Sequence, residues 1–188
     1  MSNKPIYKYE DYIDVDKILI DQEDYYRYSL FIPFKNPINH KKVLVIMRNP
    51  SKANESDSDK TINNVLNFCH GKYGGVYIAN LYPYYETNST KIKDFIELDE
   101  YEEKMEINCQ AIEDLYENTD DIIIAWGTNN TGTKYNNDYE NIIKSLLDKL
   151  YEAKKNIYAV RFVSSVKPWH PRNWGKNFDL ELYEWNVQ

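Results

Sequence analysis

Four short apolar runs, each closed by a polar or glycine turn, set the strongest constraint on how this chain folds. The first is Val43-Leu-Val-Ile-Met47, followed by Arg48-Asn49-Pro50-Ser51. A run this short and this rich in β-branched residues matches a strand buried on both faces, the kind found in parallel sheets. Pro50 has no backbone donor and biases Asn49 away from helical geometry, so the strand ends there. Val76 to Ala79 is the second run and stops at Asn80. Ile122 to Trp126 is the third and stops at Gly127. Ile157 to Val163 is the fourth and leads to a loop, Ser164 to Lys176, carrying Lys167-Pro-Trp-His-Pro-Arg-Asn-Trp174.

Helical patterns separate the runs. Ile62, Val65, Leu66 and Cys69 follow three-and-four spacing, with Asp59 placed as a cap and Gly71, Gly74 and Gly75 as terminators. Ile96 to Asn118 reads as one or two helices. Tyr139, Ile142, Ile143, Leu146, Leu147 and Leu150 form another stripe. Strands alternating with helices specify an open parallel sheet covered on both sides. The expected fold is a three-layer α/β fold with a central four-stranded parallel sheet flanked by helices. Tyr25 to Phe34 is aromatic and β-prone, and predicts an N-terminal β arm. Residues 1–24 read as an extension packed on the domain edge, and 25–188 as a single α/β domain, long enough to bury a core.

Composition narrows the function classes. No run approaches the roughly eighteen apolar residues of a membrane span, and the first residues lack a signal-peptide core. Two cysteines, Cys69 and Cys109, are too few for a disulfide framework or a four-cysteine cluster. An intracellular, reducing and cytoplasmic location is therefore expected. The formal charge of −7 argues mildly against a nucleic-acid partner. Its distribution points the other way. Tyr25 to Asn54 contains no acid but has Arg27, Lys35, Lys41, Lys42, Arg48 and Lys52, and Ala153 to Phe178 is acid-free with six more cations. The two segments form either one positive face or two unrelated solvated surfaces.

In α/β sheets, ligands bind beyond the carboxyl ends of the strands. Asn49, Asn80, Gly127 and the His170 loop all fall at that edge. There is no glycine-rich phosphate loop before a helix, no zinc-ligand spacing and no serine in a nucleophile elbow. No metal or cofactor is implied. Asn49 and Asn80 offer amide donors and acceptors for a base edge or a water, and His170 offers a donor to an oxygen that becomes negative. Tyr82, Tyr84, Tyr85, Trp169 and Trp174 lie nearby in sequence, suited to stacking or wedging. Alternatively, the asparagines satisfy loop backbones.

Arg48-Asn-Pro-Ser51, Asp57 to Thr61, Ala79-Asn-Leu-Tyr82, Ala125-Trp-Gly127 and His170-Pro171 resemble the motif series of the domain-of-unknown-function family numbered 1643, from about Tyr28 to Pro171. The same series is similar, more distantly, to the uracil-DNA glycosylase superfamily. That resemblance implies a four-stranded parallel sheet between helices. It also implies an Asn49-Pro50 motif that positions water, an Asn80 that reads the base and a His170-Pro171 loop that stabilises the leaving uracil. Arg172 or Trp174 would be the duplex wedge. Arg48 replaces the small residue usual before Asn-Pro and would sit against the base. The usual stacking aromatic has no clear equivalent, and Tyr82 or Phe68 would substitute. Asn49 is not a carboxylate, so Asp57 or Asp59 would assist. Ser51, Lys52, Lys167, Arg172, Trp174 and Lys176 would contact DNA. The expected activity is base-flipping hydrolysis of the N-glycosidic bond of uracil in DNA, single-stranded or duplex. The alternatives are an inactive nucleic-acid-binding module of the same fold, or an enzyme acting on a free nucleoside or nucleotide.

Overall fold

The computed structural model describes residues 7–85, 92–128, 135–164 and 167–183. Parts of the expected loops and of the closing tail (residues 86–88, 129–134, 165–166 and 184–187) lie outside the described residues. The chain opens with β1 (Leu19–Glu23) and β2 (Tyr26–Pro33), then β3 (Lys42–Met47), α1 (Lys60–Cys69) and β4 (Gly75–Asn80). It continues through α2 (Ile92–Ile96), α3 (Tyr101–Glu117), β5 (Asp121–Ile124), α4 (Asn136–Glu152) and β6 (Ile157–Ala159). β7 (Phe162–Ser164), β8 (Lys167–Pro168), a 3-10 turn at Pro171–Asn173 and β9 (Glu181–Leu182) complete it.

The fold is mixed α/β, and its sheet has seven strands in the order β1-β2-β4-β3-β5-β6-β9. The pairs β3–β4, β3–β5 and β5–β6 are parallel. β2 adds antiparallel to β4, β1 to β2, and β9 to β6. The four-stranded expectation therefore omitted the antiparallel additions. The aromatic arm is part of the sheet itself, and it covers the β4 edge that would otherwise be open to another chain.

Alternation along β3 divides the core. Leu44 and Ile46 face the side covered by α2, α3 and α4, where Phe95, Met105, Ile112, Leu146 and Leu150 are buried. Val43, Val45 and Met47 face the side of α1, together with Ile13, Ile18 and Trp174. Asp59 caps α1 as expected, its Oδ1 accepting from the amides of Thr61 at 2.7 Å and Ile62 at 3.0 Å. The helical expectation over 96–118 corresponds to the single helix α3, and α2 precedes it, ending at Ile96.

The run Ile157 to Val163 is not one strand. β5 ends at Ile124 and pairs with β6 only at Ile122–Ile157 and Ile123–Tyr158. Past Ala159 there is no parallel ladder to extend, and Phe162–Ser164 pairs with β8 in a separate hairpin. This hairpin delivers the His170 loop. Among the described residues, no helix is long and apolar enough to cross a membrane.

Candidate functional site

The carboxyl ends of the central strands meet at one edge. Met47 pairs with Asn80, and the ladder runs on as Leu81 N–H donates to the Met47 carbonyl at 2.9 Å and Tyr82 N–H to that of Arg48 at 2.9 Å. Ala125 N–H donates to the Ile46 carbonyl at 2.8 Å, which holds the Trp126-Gly127 turn beside the same edge. Gly127 has φ +78°, and a Cβ there would stand 3.1 Å from the His170 Cβ. Asn64 of α1 donates through Nδ2 to the carbonyls of Pro171 at 3.0 Å and Arg172 at 3.3 Å, tying the His170 loop to the helix. Asn49, Asn80, Gly127 and His170, read separately in the sequence, are brought together.

Buried polar atoms without a partner gather here. Among the described residues they are Arg27 Nε, Arg48 Nε, Ser51 Oγ, Asp59 Oδ2, Asn80 Nδ2 and Asn108 Oδ1. Five of the six belong to residues at the strand-end edge. The sixth is on α3, where Asn108 donates to the carbonyls of Asn80 at 2.9 Å and Leu81 at 3.2 Å. Buried polar groups are normally paired, so each of these atoms has hydrogen-bonding capacity that a water or a polar ligand can take up.

Arg27 is the residue sequence reasoning missed. It is fully buried on β2. Among the described residues no carboxylate forms a salt bridge with it, and an unpaired buried cation costs several kcal/mol, on the order of what whole domains have to spare. A β-bulge puts it there. Asp21 pairs with Ser29 and Gln22 with Arg27, so Tyr28 is an extra residue in β2. Leu30 and Ile32 face α1, while Tyr26 and Tyr28 face the other side, so Arg27 returns to the α1 side with Asn80 and Ala53. Its signal in the sequence was a lone arginine inside an aromatic, apolar run. Burial lowers its pKa, and Tyr85 and Asp59 oppose that shift.

His170 is neutral. Burial, then Arg172 and Arg48, lower its pKa to about 4, with Asp59 acting in opposition. Its Nδ1 accepts the Arg172 N–H at 3.2 Å, so the ring proton sits on Nε2, which remains a donor. Arg48 is buried, its guanidinium donating to the Thr128 carbonyl and lying 5.0 Å from the Tyr139 ring. Asn49 and Ser51 are half-buried.

Three of the expected aromatic contacts are buried in the fold. Phe68 is fully buried in the α1 core, with the Trp174 ring 5.2 Å away. Trp174 is itself buried and donates through Nε1 to the Trp169 carbonyl at 3.3 Å, so it is a core anchor rather than a wedge. Tyr82 is buried, and its hydroxyl donates to Asp138 at 2.8 Å. The large apolar rings gained more from the core than from the surface. The exposed candidates at this end are Lys52, Lys167, Arg172 and Lys176. The acid-free segments do not make a single positive face. Lys42 starts β3, with Lys41 before it, and Lys154 and Lys155 precede β6, which places these four at the opposite edge.

A cavity of about 300 Å³ lies between α3 and α4, lined by Leu81, Met105, Asn108, Ile112, Asp138 and Leu146 among others, and none of the expected site residues reaches it. Among the described residues, no group of three or more His, Cys, Asp or Glu is placed to hold a metal ion. No curated protein and no solved structure matches the chain. The family model described as "Protein of unknown function (DUF1643)" matches residues 27–172. That span is well over half of the chain, begins at the buried Arg27 and ends at the Arg172 that follows His170-Pro171. The chain belongs to the DUF1643 family.

Proposed function

We propose that this protein is a base-flipping N-glycosylase of the uracil-DNA glycosylase type, acting at the carboxyl edge of β3, β4 and β5. The observation that carries the proposal is the set of buried polar atoms without a partner among the described residues on Arg27, Arg48, Ser51, Asp59 and Asn80, at the sheet edge where Asn49 and the His170 loop also fall. Asn49 positions a water against the sugar C1′. The water oxygen bonds to C1′ and sheds a proton to solvent as the C1′–N bond breaks with its electron pair going to the base, whose carbonyl oxygen becomes negative. A neutral His170 with its proton on Nε2 suits that oxygen, since it donates without needing acid pH. Asn80, fully buried with Nδ2 unpartnered, suits reading the base edge. The parallel run β4-β3-β5-β6 is compatible with the four-stranded sheet that the sequence resemblance implies.

A free nucleoside or nucleotide is the second reading. It is favoured by the burial of Phe68 and Tyr82, the expected stacking rings, and by that of Trp174, which leaves Arg172 as the wedge candidate. Incubating the protein with uracil-containing single- and double-stranded oligonucleotides, then cleaving abasic sites with alkali, separates these readings. Strand scission is expected from the wild type and is expected to be lost in Asn49→Ala/His170→Ala. Scission that survives both changes sinks the residue assignment. Binding without scission identifies an inactive module, and turnover of a free nucleoside alone identifies the second reading.

A further inference from the structure

Arg27 joins the two strand-end motifs through one guanidinium. Nη1 donates to the Ala53 carbonyl at 2.8 Å, in the segment that follows Asn49, and Nη2 faces the Asn80 Oδ1 at 3.5 Å. Arginine carries donors and no acceptor, so the Asn80 atom turned to it must be the amide oxygen. The Asn80 NH2 is thereby directed elsewhere, and Nδ2 has no partner among the described residues. Asn108 holds the Asn80 backbone carbonyl, so the main chain is fixed while the side-chain oxygen faces Arg27. Arg27 and Asn80 are each fully buried, which removes water as a competitor.

We propose that Arg27 is a positioning residue that sets specificity: it locks the Asn80 amide so that the site presents an N–H donor, selecting a ring carbonyl and rejecting a ring amino group. The proposal rests on the reading of Asn80 as a base-recognising residue. Uracil places a carbonyl oxygen where cytosine places an exocyclic amine. Against a locked Asn80 the uracil oxygen accepts, whereas the cytosine amine sets donor against donor, and neither side has water to turn to. Without Arg27 the amide can rotate and present its oxygen. Sites built around one hydrogen-bond polarity reject the opposite one strongly, because a buried group is left unpaired.

The test uses the full ¹⁵N-labelled chain, with free uracil and free cytosine as probes and the Asn80 side-chain NH2 signals as the reporter, assigned by their loss in Asn80→Ala. In the wild type, uracil shifts these signals and cytosine does not. In Arg27→Met the uracil-over-cytosine affinity ratio falls by about tenfold or more. Arg27→Lys, which keeps the charge and loses the fork, falls less and guards against misfolding of the first variant. An unchanged ratio in Arg27→Met overturns the proposal. If the wild type takes up neither base, base recognition itself fails. The locking role is then decided by the same signals without ligand: unchanged Asn80 shifts in both variants overturn it, and shifts confined to Asn80 and its neighbours uphold it.

Discussion

A neutral imidazole at His170 has a thermodynamic consequence that can be measured without knowing the substrate. The ordinary value is 6.5, and burial with two nearby arginines brings it to about 4 in the fold. Between those two values the unfolded chain binds a proton that the folded chain refuses. The stabilisation is therefore complete above about pH 6.5, declines as pH falls through the window, and levels off below about pH 4. A shift of this size corresponds to on the order of 3 kcal/mol. Urea unfolding of wild type and His170→Gln at pH 7, 5.5 and 4 isolates this contribution from the carboxylates common to both. The wild type is expected to lose more stability than the variant across the window, and parallel losses would remove His170 from the account. Gly127 belongs to the same residue-scale logic. Its positive φ and the 3.1 Å approach of His170 leave no room for a side chain, which ties the Ala125-Trp-Gly127 motif physically to the His170 loop.

At the scale of elements, Asp59 is a helix cap that the proposed function also draws on as an assisting carboxylate. One oxygen accepts two α1 amides, and the other is buried without a partner among the described residues, with Arg27 and His170 as its electrostatic neighbours. The two roles separate by substitution. Asp59→Ala removes the cap and is expected to cost about 1 kcal/mol of stability. Asp59→Asn keeps a capping oxygen and removes only the charge, so it should unfold close to wild type while losing glycosylase turnover. Denaturation midpoints alongside turnover rates read both, and an Asn variant that is fully active would leave Asp59 as a cap alone. Elements with one clear pattern were legible in the sequence: β3, β4, β5, α1 and α4 lie within a few residues of where their runs and stripes put them. The elements that long-range pairing decides were not. The break between β6 and β7 depends on where β5 stops, and the Tyr28 bulge is hidden because β2 is aromatic and apolar on both faces. Asn49, Asn80 and His170 were readable as strand-end residues. The burial of Phe68, Tyr82 and Trp174 was not, because in a chain with 18 tyrosines an aromatic residue near a motif carries little information about which way it faces.

For the whole molecule, charge placement limits how DNA would be held under the proposed function. The chain carries −7 overall, and its sequence-level basic segments divide between two opposite ends of the sheet. Arg27 and Arg48 are buried, which removes them from the cations available to a phosphate backbone. Lys52, Lys167, Arg172 and Lys176 are the exposed cations among the expected contacts at the candidate edge. Each phosphate neutralised adds about −0.9 to the slope of log affinity against log salt on duplex DNA, so four contacts set that slope no steeper than about −4. Fluorescence anisotropy with a uracil-containing duplex across a salt series measures it. Arg172→Glu should weaken binding and flatten the slope, whereas Lys41→Glu/Lys42→Glu, at the far end of β3, should leave both unchanged. The opposite pattern would place the nucleic acid on the amino edge of the sheet, away from Asn49, Asn80 and His170, and a shallow slope combined with uptake of free uracil would place the substrate among small molecules. In either case the charge geometry, rather than the net charge, decides which ligand the buried polar cluster can meet.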